Sequence, residues 1–320
     1  MGQSGDAPSV QRRLRRVRMA YTSPTAGCPR FPRRHALSSH ARDEATQGAG
    51  HNRDTGHPTV SYITLTTDFG GSPGVMKGVI WRIAPRVQIA DLSHTIRPHD
   101  VRQAAFLLDR QVYYFPDDTI HVAVVDPGVG TARRPIAAQI GSQRFVGPDN
   151  GIFTPLFQRA AQAHWPVRIV HINRTAYWLP EVSDIFHGRD VFAPVAAHWA
   201  AGVPLEALGE VIEDPVQLAL PRPQPTAQGV TGEVTLIFQH FGNVITNIHR
   251  DDLEDWTQVR IRLCGVEIEG LVRTFGDRQP GTLIALFGSS GHLMIAVVNG
   301  RAVDYLHPSI GDQVEVLQQP

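Results

Sequence analysis

The chain has 320 residues, of which 42% are hydrophobic and 19% charged; this composition is typical of a globular protein with room for two modest domains. Its 30 basic and 30 acidic residues cancel, which argues against a general attraction to nucleic acid or to anionic membranes. No apolar run approaches the length of a membrane-spanning helix, and the two cysteines predict no disulfide framework. We therefore expect a cytoplasmic protein without nucleic-acid or membrane partners.

Residues 1–58 are predicted to be a disordered, Arg-rich extension. They hold ten arginines and four acidic residues and show no hydrophobic periodicity, so they bury too little apolar surface to offset the entropy of ordering. Disorder, or a true start at Met19, is the favoured interpretation. An organelle transit segment is a weaker alternative. A nucleic-acid-binding arm is the weakest, because few aromatic residues lie among the arginines.

Strands and helices alternate in the next part of the chain. The patterns predict a strand over 63–67, a helix over 75–83 that Pro85 stops, a strand over 87–92, a helix over 101–113, a strand over 120–125 and a helix over 188–201 with Pro194 in its first turns. Asp100 and Gln103 have the spacing of a capping box. The continuously apolar strand is typical of burial on both faces. Residues 59–220 are thus predicted to form an α/β domain with a mainly parallel sheet.

A change of pattern follows residue 220. The prolines of 221–225 fit neither a helix nor a central strand, so residues 221–228 are predicted to be a linker. Short strands separated by Gly, Asn and Asp turns are then predicted over 232–238, 243–248, 259–264, 266–271, 283–287, 293–298 and 313–317. This pattern predicts a small all-β, barrel-like C-terminal domain over 229–320.

The strongest chemical signal is Asp126, which directly follows the buried strand and begins Asp-Pro-Gly-Val-Gly. A carboxylate at the C-terminal end of a parallel strand lies where open α/β sheets bind ligands. Arg133 or Arg134 can return towards the same crevice. Because Asp-Pro-Gly is also common turn chemistry, a turn-capping Asp and solvent-exposed arginines explain this motif equally well.

Two further loops carry candidate residues. His187, Arg189 and Asp190 crowd a loop before a helix, where free backbone N–H groups attract anions; a surface His and a local Arg–Asp pair are the slightly favoured alternative. Asp68 ends the first strand beside glycines and suits a ribose diol by analogy with dinucleotide folds, or else caps a helix. The spacing of these glycines matches neither a dinucleotide fingerprint nor a P-loop.

Metal-binding motifs are absent from the sequence. It contains no H-x-x-x-H or H-E-x-x-H and no cysteine pair with zinc spacing. We therefore expect no metal and no cofactor. A charged Asp, Arg and His set remains, which suits the positioning of a water molecule.

Five motifs in order carry a family resemblance: L-T-T-D-F-G (65–70), V-D-P-G-V-G-T (125–131), G-P-D-N-G (147–151), F-H-G-R-D (186–190) and F-G-N-x-x-T-N (241–247). Together they resemble the S-adenosylmethionine (SAM) hydroxide adenosyltransferases, adenosine-forming hydrolases related to fluorinase and chlorinase. The resemblance covers about 63–316. It implies SAM as the substrate and a homotrimer whose active sites lie between neighbouring subunits.

The resemblance also implies roles for individual residues. Asp126, Arg133 and His187 would form the catalytic triad, with Arg133 orienting water or stabilising hydroxide and the other two accepting its proton. The implied substrate-binding residues are Asp68 at the ribose hydroxyls, Phe69, His99 near the ribose, Asn150, Gln239, Asn243 near the adenine, and Ser289 or Ser290 at the methionine carboxylate. From turn statistics alone, such Asn and Ser residues in the β domain mostly form turns.

Gln239 departs from the family pattern, which has an Asp that grips the methionine ammonium. A Gln oxygen still accepts a hydrogen bond, without charge assistance. A non-catalytic SAM-binding module is the alternative that this departure supports. A halogenase of the same family is the other alternative; halogenases have a tyrosine where Asp126 stands, a serine where Gly188 stands and an extra loop after the Pro-x-x-Gly turn.

Overall fold

The computed structural model describes residues 61–71, 73–253 and 255–318. The predictions for residues 1–58 lie outside the described residues. Two sheets follow one another along the described chain, the first in the N-terminal part and the second in the C-terminal part.

The first sheet has seven strands: β1 (Tyr62–Thr67), β2 (Gln88–Ser93), β3 (Ile120–Val124), β4 (Pro135–Ile140), β5 (Gln143–Pro148), β6 (Val167–His171) and β7 (Glu210–Val211). Their order is β2-β1-β3-β5-β4-β6-β7. Strands β2, β1, β3 and β5 run parallel, whereas β4 is antiparallel to both of its neighbours. The predicted α/β domain with a mainly parallel sheet is confirmed.

Helices cover both faces of this sheet: α1 (Gly74–Ile83), α2 (Val101–Gln111), α3 (Thr154–Ala163) and α4 (Ala193–Ala200). One hydrophobic cluster packs α1 and α4 against Val122 and Val124 of β3. The other packs α2 and α3 against Ala123 and Val125. Successive residues of β3 therefore enter opposite layers, which is why this strand, apart from the buried His121, is apolar without alternation.

The second sheet is antiparallel and contains β8 (Gln224–Thr226), β9 (Gly229–Phe238), β10 (Asn243–His249), β11 (Val259–Leu263), β12 (Val266–Glu269), β13 (Leu283–Phe287), β14 (His292–Val297) and β15 (Gln313–Gln318). The order is β12-β11-β15-β9-β10-β14-β13, and β8 pairs with β9. The short helix α5 (Ala302–Leu306) and strands from both ends of this order contribute to one hydrophobic core, so the sheet curls into the predicted barrel-like form.

Three local features differ from the sequence-based predictions. The capping box at α2 is half formed: Asp100 Oδ1 accepts from the Gln103 amide at 2.9 Å, but Gln103 Oε1 accepts from the Arg97 amide. The helix expected over 188–201 is a π-helical turn (Gly188–Phe192) followed by α4, because Pro194 has no N–H to continue a regular helix. The predicted linker contains β8, an edge strand that tolerates proline.

None of the described helices combines the length and apolarity needed to cross a membrane.

Candidate active site

The parallel strands β1 and β3 bring two carboxylates to one edge of the first sheet. Thr67, the last residue of β1, pairs with Val124, the last residue of β3. Asp68 follows the first strand directly, and Asp126 lies two residues beyond the second. Both acidic side chains therefore stand at the carboxyl ends of adjacent parallel strands, the edge at which open α/β sheets bind ligands.

The turn after Asp126 returns Arg133 to this carboxylate. Arg133 Nε donates to Asp126 Oδ1 at 2.9 Å, and its Nη2 donates to the other carboxylate oxygen. The two side chains are largely buried, at 10% and 5% exposure. Paired donors on a planar guanidinium fix both orientation and distance, and the Phe192 ring packs against the guanidinium carbon at 5.2 Å.

Gly130 allows the same turn to approach the loop that carries His187. Its φ is 75°, and a Cβ there would lie 2.6 Å from the backbone oxygen of Asp184. Only glycine has both the backbone freedom and the small size for this approach. The two motifs found separately in the sequence are thus brought into contact.

His187 completes the group through its Nδ1, which lies 3.0 Å from Arg133 Nη2. A guanidinium has only donors, so Nδ1 accepts this hydrogen bond and the ring proton resides on Nε2. Burial, followed by the nearby Arg133 charge, lowers the pKa of His187 below its usual value. His187 is therefore neutral at pH 7 and is a hydrogen-bond donor through Nε2.

A cleft of about 270 Å³ opens beside these side chains; its lining includes Asp68, Phe69, Pro98, His99, Asp126, Val129, Ile185, Phe186 and His187. Asp68 Oδ2 accepts from the His99 amide at 2.8 Å, while Oδ1 has no hydrogen-bond partner among the described residues. The Phe69 and Phe186 rings meet edge to face at 5.6 Å. The lining of the cleft thus combines acidic and aromatic side chains, which suits a sugar diol next to an apolar group.

Neighbouring polar residues have structural partners instead. Arg134 pairs with Asp149 at 2.7 Å and with Asp214 at 2.8 Å, so it faces away from Asp126. Arg189 pairs with the buried Asp190, which confirms the local-pair alternative for these two residues. The apolar residues Val129, Ile185 and Phe186 were not singled out from the sequence, although Val129 and Phe186 lie within recognised motifs.

Asn150 supports the site from behind. Its Nδ2 donates to the Val125 oxygen at 2.9 Å, and its Oδ1 accepts from the Ile152 amide at 3.2 Å. The side chain therefore holds the backbone immediately before Asp126.

The candidate residues of the C-terminal domain lie in other clefts of the same chain. Asn243 lines a cleft of about 320 Å³ together with Phe241, Phe275, Asn299 and Arg301. Gln239 stands on the adjoining β9–β10 turn, where its backbone oxygen accepts from Arg301 Nη1 at 2.6 Å. Ser289 and Ser290 line a third cleft, whose lining also includes Arg110, Arg159 and His292. One chain alone does not bring these residues to the triad.

Among the residues that the structure describes, no three His, Cys, Asp or Glu side chains are grouped as metal ligands would be.

Two family models match the chain: the SAM hydroxide adenosyltransferase N-terminal domain over residues 63–209 and the C-terminal domain over 232–315. The chain belongs to the SAM hydroxide adenosyltransferase family. It is 42% identical to an (R)-S-adenosyl-L-methionine hydrolase of Salinispora tropica, over 80% of this chain and 97% of the relative. An enzyme of the same name from Thermus thermophilus is 40% identical, over 80% and 99%.

A fluorinase of an Actinoplanes species is less similar, at 30% identity over 75% of this chain and 91% of the relative. Among solved structures, an uncharacterized conserved protein of Thermotoga maritima matches with a TM-score of 0.72 and 37% identity, over 79% of this chain and 99% of that one. The family match therefore includes both domains and the loops that carry Asp126, Arg133 and His187.

Proposed function

We propose that this protein hydrolyses SAM to adenosine and L-methionine by attack of water at C5′ of the ribose. The proposal rests on one observation. Asp126, Arg133 and His187 contact one another, and they lie beside the cleft that Asp68 also lines. The names of two relatives, both (R)-S-adenosyl-L-methionine hydrolases, support the hydrolysis of SAM. Product analysis by chromatography tests it: adenosine and methionine should appear in equal amounts.

In the proposed reaction, a water oxygen forms a bond to C5′ while the C5′–sulfur bond breaks. The bonding pair goes to sulfur, which leaves as the neutral thioether of methionine, so no general acid is needed. Asp126 is the proton acceptor. His187 is not the second acceptor that the resemblance implies, because it already carries its proton on Nε2 and engages Nδ1 with Arg133. The Nε2–H of His187 and the guanidinium of Arg133 orient the nucleophile and stabilise its developing negative charge.

Two features favour the hydrolase over the halogenase alternative. The carboxylate of Asp126 lies in the cleft and would repel a bound halide. At Gly188, a Cβ would lie 3.3 Å from the Phe69 ring and 3.4 Å from both Met76 and Val124, so a serine there would be crowded. The same chromatography, run with fluoride or chloride added, should show no halogenated nucleoside.

Metal independence is part of the proposal, together with the absence of a cofactor and a cytoplasmic location. The leaving group is neutral and Arg133 supplies the positive charge, so the chemistry requires no Lewis acid. EDTA should leave the rate of adenosine formation unchanged, and a loss of activity that zinc or magnesium restores would contradict this part.

A homotrimer is also proposed, with each active site completed by the C-terminal domain of a neighbouring subunit. Each such site would have two halves, one with the triad and one with Asn243. A large apolar side chain is exposed beside each half: Ile185 is 81% exposed beside the triad, and Phe241 is 64% exposed beside Asn243. Such exposed residues are expected at subunit contacts. Burial of the substrate between subunits would unite the triad with Asn243.

Mixing two inactive variants tests this arrangement. Asp126→Asn damages the triad half of a site and Asn243→Ala damages the other half. In randomly mixed trimers, about a quarter of the sites would combine two intact halves, so coexpression should recover about that fraction of wild-type activity. No recovery in mixed trimers would place both halves in one subunit.

Gln239 provides a prediction about substrate affinity. Gln239→Asp should tighten SAM binding by about 1 kcal/mol, roughly fivefold in Kd, because the hydrogen bond to the methionine ammonium becomes charge-assisted. Gln239→Asn, which has the size of Asp without its charge, is the matched control. Calorimetry should rank the Asp variant as the tighter binder, and equal affinities for the two variants would count against the ammonium contact.

A further inference from the structure

Behind the cleft, a chain of polar contacts reaches the turn that carries Asp68 and Phe69. Thr67 is fully buried, and its Oγ1 lies 3.0 Å from His94 Nδ1. The same oxygen accepts a hydrogen bond from the Phe69 amide at 3.3 Å. The hydroxyl of Thr67 therefore links the imidazole of His94 to the backbone of the turn.

His94 holds this turn at a second point. Its backbone oxygen accepts from the Gly70 amide at 2.9 Å, where Gly70 has a φ of 73°. His94 also begins the loop whose later residue His99 donates its amide to Asp68. Asp68 thus lies on a turn that is fixed at the Phe69 amide, at the Gly70 amide and at its own carboxylate.

Asp91 and Lys77 orient the imidazole from its far side. His94 Nε2 lies 3.0 Å from Asp91 Oδ1, and Lys77 Nζ donates to Asp91 Oδ2 at 2.6 Å. The contact between His94 Nε2 and Asp91 Oδ1 is short but does not have the geometry of a hydrogen bond. The attraction between these two groups is therefore mainly electrostatic. An ionised carboxylate is only a hydrogen-bond acceptor. The charge of Asp91 therefore favours the proton of His94 on Nε2 and leaves the Nδ1 lone pair for the Thr67 hydroxyl.

We propose that His94 and Thr67 are positioning residues that hold Asp68 in the geometry required to bind the ribose diol of the substrate. The inference rests on the proposed function for its ligand and goes beyond it in naming residues that touch neither substrate nor triad. Their effect reaches the substrate through the Asp68–Phe69 turn.

The same strand contains a matched control. Thr64, near the start of β1, makes an equivalent buried contact, 2.7 Å from Oγ1 to His121 Nδ1. Thr64→Val and Thr67→Val both remove the hydroxyl of a buried threonine that contacts a histidine Nδ1. Both should lower the melting temperature, but only Thr67→Val should disturb the turn beside the cleft.

We expect Thr67→Val to raise the KM for SAM on the order of 10-fold, the scale of one lost hydrogen bond at a site, with kcat changed by less than about twofold. Thr67→Ser should restore the KM, and Thr64→Val should leave it unchanged. In an Asp68→Ala background, Thr67→Val should add nothing, because residues that act through one group are not additive. His94→Leu is a second variant that should behave like Thr67→Val.

Amide hydrogen exchange gives a readout that does not depend on activity. The Phe69 and Gly70 amides should exchange faster in Thr67→Val than in wild type, and should be unaffected in Thr64→Val. An equal KM increase in Thr64→Val, or full additivity with Asp68→Ala, would overturn the positioning role. Absence of adenosine formation by the wild-type protein would instead refute the proposed function, while the exchange result still tests the contact itself.

Discussion

Asp126→Asn should reduce the turnover of SAM by roughly 10² or more, the usual scale for losing a positioned acid–base group. An amide at this position preserves the shape of the side chain but removes the charge that pairs with Arg133 and the site that accepts the proton of water. SAM binding should change much less, because the proposed adenosine contacts lie on Asp68 and Asn243. Single-turnover kinetics and calorimetry separate the two effects.

Arg133→Ala should cause a loss of similar size, because Arg133 holds both Asp126 and His187 and supplies the positive charge at the nucleophile. The adjacent residue offers a matched control: Arg134 pairs with Asp149 and Asp214, so Arg134→Ala should keep the wild-type kcat in the folded protein. Normal turnover by Asp126→Asn would contradict the triad mechanism and would leave Asp126 with the role of a turn residue only.

Asp68→Ala should weaken substrate binding before it lowers turnover. Removal of its carboxylate leaves the ribose hydroxyls without their proposed acceptor, so the KM for SAM should rise on the order of 10-fold or more while kcat falls less. Product binding provides an internal control, since the affinity for adenosine should fall with that for SAM and the affinity for methionine should not. A loss of kcat at unchanged adenosine affinity would indicate that Asp68 acts in catalysis and not in substrate binding.

The fold was predictable where local pattern and burial agree. The sequence of strand β3 predicts burial because its apolar residues, Ile120 and 122–124, are divided between both hydrophobic layers. The hairpin of β4 and β5 was not predicted, because it begins and ends at prolines and carries polar Gln139, Gln143 and Arg144. Within that hairpin, β5 pairs parallel with β3, whereas β4 pairs antiparallel with β5 and β6. Helix α3, with Pro155 in its first turn, was missed as well.

The site was predictable to the level of motifs. Spacing alone did not distinguish Arg133 from Arg134, since adjacent residues in a turn point in different directions and only the folded turn selects one. The proton position on His187 likewise follows from its contact with Arg133, which no local sequence pattern encodes. The separation of Asn243, Ser289 and Ser290 from the triad within one chain is a property of the tertiary structure.

Hydrolysis in ¹⁸O-labelled water tests the central claim most directly, because it identifies the attacking atom and the carbon attacked. The purified full-length protein is incubated with SAM in labelled water, and both products are analysed by mass spectrometry. Attack of water at C5′ predicts one ¹⁸O atom in adenosine, located at the 5′ oxygen, and none introduced into methionine by the reaction. Unlabelled adenosine, a halogenated nucleoside, or no product at all would contradict it.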